Sequence, residues 1–273
     1  MQEITGNVCV ETAYQGANVG FVTTSEGIVM IDTPQRPSDA LRWRGEVTKR
    51  GEVRYIINTE HHGDHITGNY FFSGTVVAHR GTKDAFPTVL GSLAQLRERV
   101  KMMDPDGLRL IEGYRPKAPT ITYTDKMALY VGSHTFHLIH LPGHTVYETV
   151  VYVPEERVVF SGDNVTYKTG AFLHDADAFG WLKSLEWLAA LDVDFIVPGH
   201  GEVCDKSYLP EYNQLISGWI DATREAMAKG LGRDEAAEQV AQALRYPNRT
   251  EAFVMDYLRQ GVRRIYDAVQ AGA

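Results

Sequence analysis

The stretch Asn58-Thr59-Glu60-His61-His62-Gly63-Asp64-His65 decides how the chain is read, because it packs three histidines and two carboxylates into eight positions. It follows directly on Val53-Arg54-Tyr55-Ile56-Ile57, a run of strand type. Imidazole nitrogens and carboxylate oxygens are the side-chain donors that hold divalent cations. A cluster of them at a strand end sits where layered α/β folds keep their chemistry, since the loop there is held by a rigid sheet.

Three later segments repeat the arrangement. Pro142-Gly143-His144-Thr145, Ser161-Gly162-Asp163 and Pro198-Gly199-His200-Gly201 each close an apolar strand and set a glycine immediately before a histidine or aspartate. Glycine lets the backbone turn tightly, so a side chain at the strand tip can point into a shared cleft. One histidine after a strand is usually structural, but four strand tips that all deliver His or Asp point to a common site. Asp32, closing Val29-Met30-Ile31, is a fifth candidate.

In this order the segments resemble the signature of the metallo-β-lactamase fold superfamily. That signature is a His-x-His-x-Asp-His cluster, a Gly-His near a following strand, an Asp after another strand, and a late Gly-His. The similarity covers roughly residues 5–205. It implies an α/β protein, a four-layer αββα sandwich of two similar halves, with a dinuclear metal site at one edge of the sheets. It further implies a first metal at Glu60, His62 and His144, a second at Asp64, His65 and His200, and Asp163 between them. Zn2+ is the expected cofactor, two ions per chain, with Mn2+ or Fe2+ as alternatives, especially at the Glu60 position. His61 is expected to turn away, and Asp32 to support the site from beneath without binding metal.

Glu60 stands where the family usually has histidine. A carboxylate is a competent ligand, but an added anionic donor weakens the metal's Lewis acidity and favours harder cations. Three readings stay open: direct ligation, action through a water or as a proton-handling group, and an empty first site that leaves a mononuclear centre.

A bound divalent ion lowers the pKa of its water from about 15.7 to about 7. The sequence offers no rival nucleophile, having no Gly-x-Ser-x-Gly and no partner motif beside Cys9 or Cys204. The expected function is a metal-dependent hydrolase whose metal-bound hydroxide attacks a small carbonyl substrate: a lactone, ester, thioester or lactam. The alternatives are a mononuclear iron dioxygenase-type member of the same superfamily, since two histidines and a carboxylate resemble a ferrous facial triad, and a β-lactamase-like activity. The resemblance leans away from the latter, because the family's β-lactamases lack an aspartate at position 163. Gly143-His144-Thr145-Val146-Tyr147-Glu148 likewise departs from the His-Thr-x-Gly-His pattern of glyoxalase II. Asp64 and Glu60 are candidates to pass a proton to the leaving group, and Tyr167 or His174 to donate a hydrogen bond to an oxyanion. His134, His137 and His140 alternate across a strand and cannot converge on a third metal.

The remaining sequence sets bounds. Apolar residues make up 44% and charged residues 23%, ordinary for a globular protein with a core. The net charge of −8 argues against a partner held by phosphate neutralisation. Two cysteines give no disulfide framework. The N-terminal residues lack the basic and apolar regions of a signal peptide, and no apolar run approaches the roughly 20 residues that span a bilayer. The expected partner is a small-molecule substrate, with no nucleic acid and no membrane, in the cytoplasm; monomer and homodimer are both open. Residues 1–206 are expected to form the sandwich, with 82–120 a helical insertion roofing the pocket. Residues 207–273 read as a helical extension packed on it, its apolar face spelled by Val254, Leu258, Val262, Ile265 and Val269.

Overall fold

The structure, a computed structural model, describes residues 1–243 and 252–273. The strand-type runs form two sheets. The first runs in sequence order through β1 (Gln2–Glu3), β2 (Val8–Glu11), β3 (Val19–Thr24), β4 (Gly27–Ile31), β5 (Val53–Ile57), β6 (Thr75–His79) and β7 (Ile121–Tyr123). Its first four strands are antiparallel neighbours, and β4 to β7 are parallel. Parallel strands need crossovers, and α1 (Pro37–Thr48) supplies the one between β4 and β5. A proline in its first turn and Asp39 beside the N-terminal dipole favour the helix start there. The donor loop, with the short α2 (Gly63–Ile66), forms part of the next crossover, between β5 and β6.

The second sheet comprises β8 (Lys126–Val131), β9 (His134–His140), β10 (Thr149–Val153), β11 (Val158–Thr166) and β12 (Phe195–His200), in the spatial order β12-β11-β10-β9-β8. Only β11 and β12 are parallel, joined through the helix Ala178–Ala190. Every residue of β11 is buried, as expected of a strand covered on both faces.

Apolar side chains define the layers. Val29, Ile57 and Val77 of the first sheet meet Phe136, Leu138 and Val158 of the second between the sheets. On the outer side of the first sheet, Phe21 and Met30 pack on Trp43 of α1. On the outer side of the second, Val159 and Ile196 pack on Trp181 and Leu185. The result is helix–sheet–sheet–helix, the expected four-layer αββα sandwich.

Residues 82–120 contain α3 (Arg80–Leu90), α4 (Leu93–Met103) and a 3-10 turn at Pro105–Ile111. None of them is among the residues lining the cleft over the donor cluster. Leu96, Val100 and Ile111 pack on Trp43 and Phe71, and the Tyr114 hydroxyl donates to the Thr67 carbonyl at 2.9 Å. Their apolar spacing belongs to the outer layer, a destination that periodicity alone does not specify. With α5 (Ala178–Ala190) numbered in chain order, the described chain beyond Ser207 is helical: α6 (Leu209–Ala228), α7 (Arg233–Ala243) and α8 (Ala252–Gln270). Val254, Leu258, Val262 and Ile265 are buried, and Val269 packs against the same cluster. That cluster also holds Trp181 and Leu185, so α8 and the second sheet share one core. Among the described residues, no helix is long and apolar enough to cross a membrane.

Two tests address this packing. Leu258→Ala should cost about 2–5 kcal/mol, lowering one cooperative denaturant transition without splitting it into two. Glu156 ties the β1–β2 turn to β9, accepting hydrogen bonds from the Thr5 hydroxyl, from Asn7 Nδ2 at 2.7 Å and from His134 Nε2 at 2.7 Å. Burial raises its pKa, but bonds from Thr5, His134 and Asn7 outweigh that and hold it below the usual glutamate value. A depressed folded pKa gives stability that is present at neutral pH and lost as pH falls through that lowered value. Glu156→Gln should therefore lower stability at neutral pH and flatten the acid limb of a stability–pH curve.

Candidate metal centre

The site begins at Asp32, immediately after β4. Its φ is 55°, in the left-handed region that non-glycine residues rarely occupy. Its Oδ1 accepts the Thr59 N–H at 2.8 Å, and its Oδ2 accepts the Thr59 hydroxyl at 2.6 Å and lies 2.9 Å from His65 Nδ1. With Nδ1 engaged, the other imidazole nitrogen of His65 is presented to the centre. It lies 3.3 Å from Glu60 Oε1 and 3.4 Å from Asp163 Oδ1.

Glu60 is fully buried. Its Oε2 accepts the backbone N–H groups of His61 and His62, both at 2.9 Å. That leaves Oε1 free to face the centre, 2.8 Å from His62 Nδ1 and 3.9 Å from His144 Nε2. His144 is oriented by its Nδ1, 2.8 Å from the Phe172 carbonyl. Across the centre, His200 Nε2 lies 3.2 Å from Asp64 Oδ2 and 3.3 Å from Asp163 Oδ2. Asp163 Oδ2 is also 3.5 Å from His144 Nε2. Asp163 therefore faces both halves of the cluster.

Two of the glycines before these donors are there for space. Gly162 has φ 53°, and a Cβ on it would lie 2.1 Å from Glu148 Oε1. A Cβ on Gly199 would lie 1.8 Å from Asp163 Oδ1. Without the glycines the strand tips could not close on one another.

The donors form Glu60–His62–His144, Asp64–His65–His200 and Glu60–His65–Asp163 groups, the ligand atoms of each lying within 4.8 Å of one another. Glu60 Oε1, His65 Nε2 and Asp163 Oδ1 are buried and make no well-aligned hydrogen bond, facing only one another and the neighbouring imidazoles of the cluster. Buried polar atoms are normally paired, and unpaired atoms converging on one point are what a cation satisfies. The mixture of imidazole and carboxylate suits a divalent transition ion. In the protein alone the opposite charges compensate one another. Burial disfavours ionised Asp163, yet His200 and His65 hold it well below the usual aspartate range. Burial likewise opposes protonation of His200, but Asp163 and Asp64 carry it to about 10.

Other expected residues fall variously. His61 faces Tyr147, the ring centroids 5.7 Å apart, although its Nδ1 remains 3.5 Å from Glu60 Oε2. His174 lines the cleft and stacks on His62 at 5.2 Å. Burial, then His62 and His144, lower its pKa to about 4, which keeps it neutral. Tyr167 does not line the cleft: its ring packs against Tyr208 at 4.7 Å, with Lys168 Nζ 4.8 Å from its centroid. It lies in the bend just past the end of β11, where its N–H donates to the His200 carbonyl at 2.8 Å and its ring turns to Tyr208. His134 pairs with Glu156, His137 stacks on Tyr152, and His140 stacks on His79, so these three do not converge. Cys204 packs against the core, and burial pushes its thiol up to about 12.

Sequence reasoning missed Glu148, Phe172, Asp175 and Tyr257. Glu148 is fully buried beneath Asp163, its Oε1 accepting the Asp163 N–H at 3.0 Å and its Oε2 the Thr145 hydroxyl at 3.2 Å. Burial first, then the Glu60 and Asp163 carboxylates, push its carboxyl well above the usual range. A glutamate opening the apolar strand Thr149–Val153 was the available signal. Asp175 Oδ2 lies 3.3 Å from His62 Nε2, and its Oδ1 accepts from Arg264 of α8 at 3.2 Å. Phe172 and Tyr257 line the cleft.

An αββα sandwich with a histidine and carboxylate cluster at its sheet edge is the arrangement of the metallo-β-lactamase fold. The chain belongs to the metallo-β-lactamase superfamily, whose family model matches residues 14–200. It is 26% identical to a linear primary-alkylsulfatase of a Pseudomonas species, over 90% of this chain but 54% of that protein. It is 25% identical to the metallo-β-lactamase type 2 of Elizabethkingia meningoseptica, over 80% and 84% of the two chains. Among solved structures, a metallo-β-lactamase family protein from Thermus thermophilus superposes with a TM-score of 0.69 at 17% identity, covering 98% of this chain and 95% of that one. The chain thus spans about half the length of the alkylsulfatase and nearly all of that structural neighbour.

The Glu148 contact makes a direct prediction. Glu148→Gln keeps an acceptor for the Asp163 N–H and should leave metal content near wild type. Glu148→Ala orphans that N–H, which should cost about 1–3 kcal/mol in stability and reduce metal occupancy measured by elemental analysis.

Proposed function

We propose that the protein is a metal-dependent hydrolase of a small carbonyl substrate, in the class of lactones, esters, thioesters or lactams. The reading assigns Zn2+ to the Glu60–His62–His144 and Asp64–His65–His200 groups, with Asp163 between them. The observation that carries it is the Asp163 carboxylate, one oxygen toward His65 and the other toward both His144 and His200. When bound, the ions lower the pKa of a coordinated water to about 7 and polarise the carbonyl oxygen under attack.

The side chains supply the rest. Glu60 is buried and absent from the cleft lining, and its Oε2 is committed to two N–H groups. This supports direct ligation through Oε1 over proton shuttling. Asp64 does line the cleft and is the group placed to pass a proton to the leaving atom. Neutral His174, at the cleft wall, can offer an N–H to the substrate's carbonyl oxygen. Asp32 and Asp175 orient His65 and His62 through their other ring nitrogens.

The test is elemental analysis joined to a hydrolysis panel of lactones, esters, thioesters and a chromogenic β-lactam. The purified protein should hold between one and two transition-metal ions and lose hydrolysis on chelation. His200→Ala and Asp163→Ala should each lose metal and lower kcat/KM by more than the roughly 100-fold that loss of an outer partner can cost. Unchanged metal content and turnover in both variants would overturn the assignment. So would oxygen uptake by an iron-loaded sample that hydrolyses no member of the panel.

A further inference from the structure

The cleft over the donor cluster has two arms that meet at Asp163, Phe172 and His200. One, of about 280 Å³, runs past His144 and His174 to Tyr257. The other, of about 310 Å³, is bordered by Thr12, Tyr14, Asn18, Thr166 and Thr169. Apart from the donor residues, the described lining of both arms is aromatic, hydroxyl, amide or glycine, with no lysine or arginine. Among the described residues, two cations near the arms are already engaged: Arg264 by Asp175 at 3.2 Å, and Lys168 over the Tyr167 ring. The Asn18 amide is likewise committed, donating to the Pro198 and Gly201 carbonyls at 2.8 Å each. A carboxylate seated at the far end of either arm, away from the donor cluster, would lose water and meet no lysine or arginine among the described lining residues.

The first arm has a consistent shape. Tyr257 stacks on His174 with centroids 4.1 Å apart and planes 9° from parallel. Phe172 stands at 90° to Tyr257, 5.7 Å away, closing the corner. Phe253, 51% exposed and 5.9 Å from Tyr257, carries the aromatic face outward. Flat rings and apolar groups are what such a corner holds by stacking and edge contact. Both Tyr257 and Phe253 come from α8, whose buried face fixes them against the core.

We propose that this cleft selects an uncharged ester or lactone bearing a flat apolar group, and that Tyr257 of α8 is the specificity-determining residue that seats that group beside the donor cluster. The proposal rests on the hydrolase reading for where the carbonyl lies. It excludes substrates whose recognition depends on a carboxylate, which removes carboxylated lactams and glutathione thioesters from that class.

The test uses the full-length, zinc-loaded protein. Dihydrocoumarin should have a higher kcat/KM than γ-butyrolactone, and phenyl acetate a higher one than 4-carboxyphenyl acetate. Tyr257→Ala should raise KM for dihydrocoumarin about five- to tenfold more than it raises KM for γ-butyrolactone, with metal content near wild type. Tyr257→Phe should restore the wild-type KM. Calorimetry with 2-tetralone, a ketone of the same shape that cannot be hydrolysed, gives a second readout: binding to wild type and Tyr257→Phe, weakened in Tyr257→Ala. If lactones are hydrolysed but Tyr257→Ala affects both lactones equally, or the carboxylated ester is preferred, the specificity proposal fails and the hydrolase reading stands. If 2-tetralone binds as described and nothing is hydrolysed, the hydrolase reading fails and the aromatic seat stands.

Discussion

Charge neutralisation at one point governs this structure. Glu60 and Asp163 are buried within a few ångströms of one another, with Asp32 behind His65 and Asp64 beside His200. Buried carboxylates are costly unless paired, and the four histidines that surround them are the partners the chain itself provides. His62, His65 and His144 are each held by their second ring nitrogen, which fixes the ring toward the charge it faces. The glycines at 162 and 199 belong to the same constraint, since any larger residue would displace Glu148 or Asp163. The two sheets can then be seen as the means of bringing five chain segments to one edge with ångström tolerance.

Outside that edge the molecule is held by ordinary apolar packing, but the packing is not neutral with respect to the site. The cluster that buries Leu258 and Val262 also buries Trp181, whose indole N–H donates to the Asn164 carbonyl at 2.9 Å, one residue from Asp163. Arg264 holds Asp175, and Asp175 faces His62. The C-terminal helices are therefore mechanically continuous with the donor residues. A disturbance of their packing would be felt as a change in ring orientation as well as in stability.

What could be read from the sequence follows a physical rule. The fold and the seven donor positions were legible because strand tips ending in Gly-His or Gly-Asp carry their meaning locally, and the family order supplies the rest. Asp32 was legible for the same reason, and the structure places it under His65 as expected. Glu148, Asp175, Phe172 and Tyr257 were not, because their roles arise from contacts across long sequence separations. Tyr257 reads simply as one residue of an amphipathic helix until α8 is seen to lie against His174. Residues 82–120 show the converse: their helical character is plain, but which surface they cover depends on Trp43 and Phe71. Tyr167 sits in the bend just past β11, and the direction of its ring depends on Tyr208, some forty residues further along the chain.

The anchoring of Glu60 also bears on how such a site can change through descent. Its Oε2 receives two backbone N–H groups while its Oε1 faces the centre, so the residue is a loop clasp and a donor at once. An imidazole can replace the donor but has no second acceptor to hold both amides, which would leave the turn into α2 unfastened. Glutamine keeps a carbonyl acceptor and makes a gentler intermediate. Exchange of this glutamate for histidine therefore couples the donor to the loop backbone, since the His61 and His62 amides would need another acceptor.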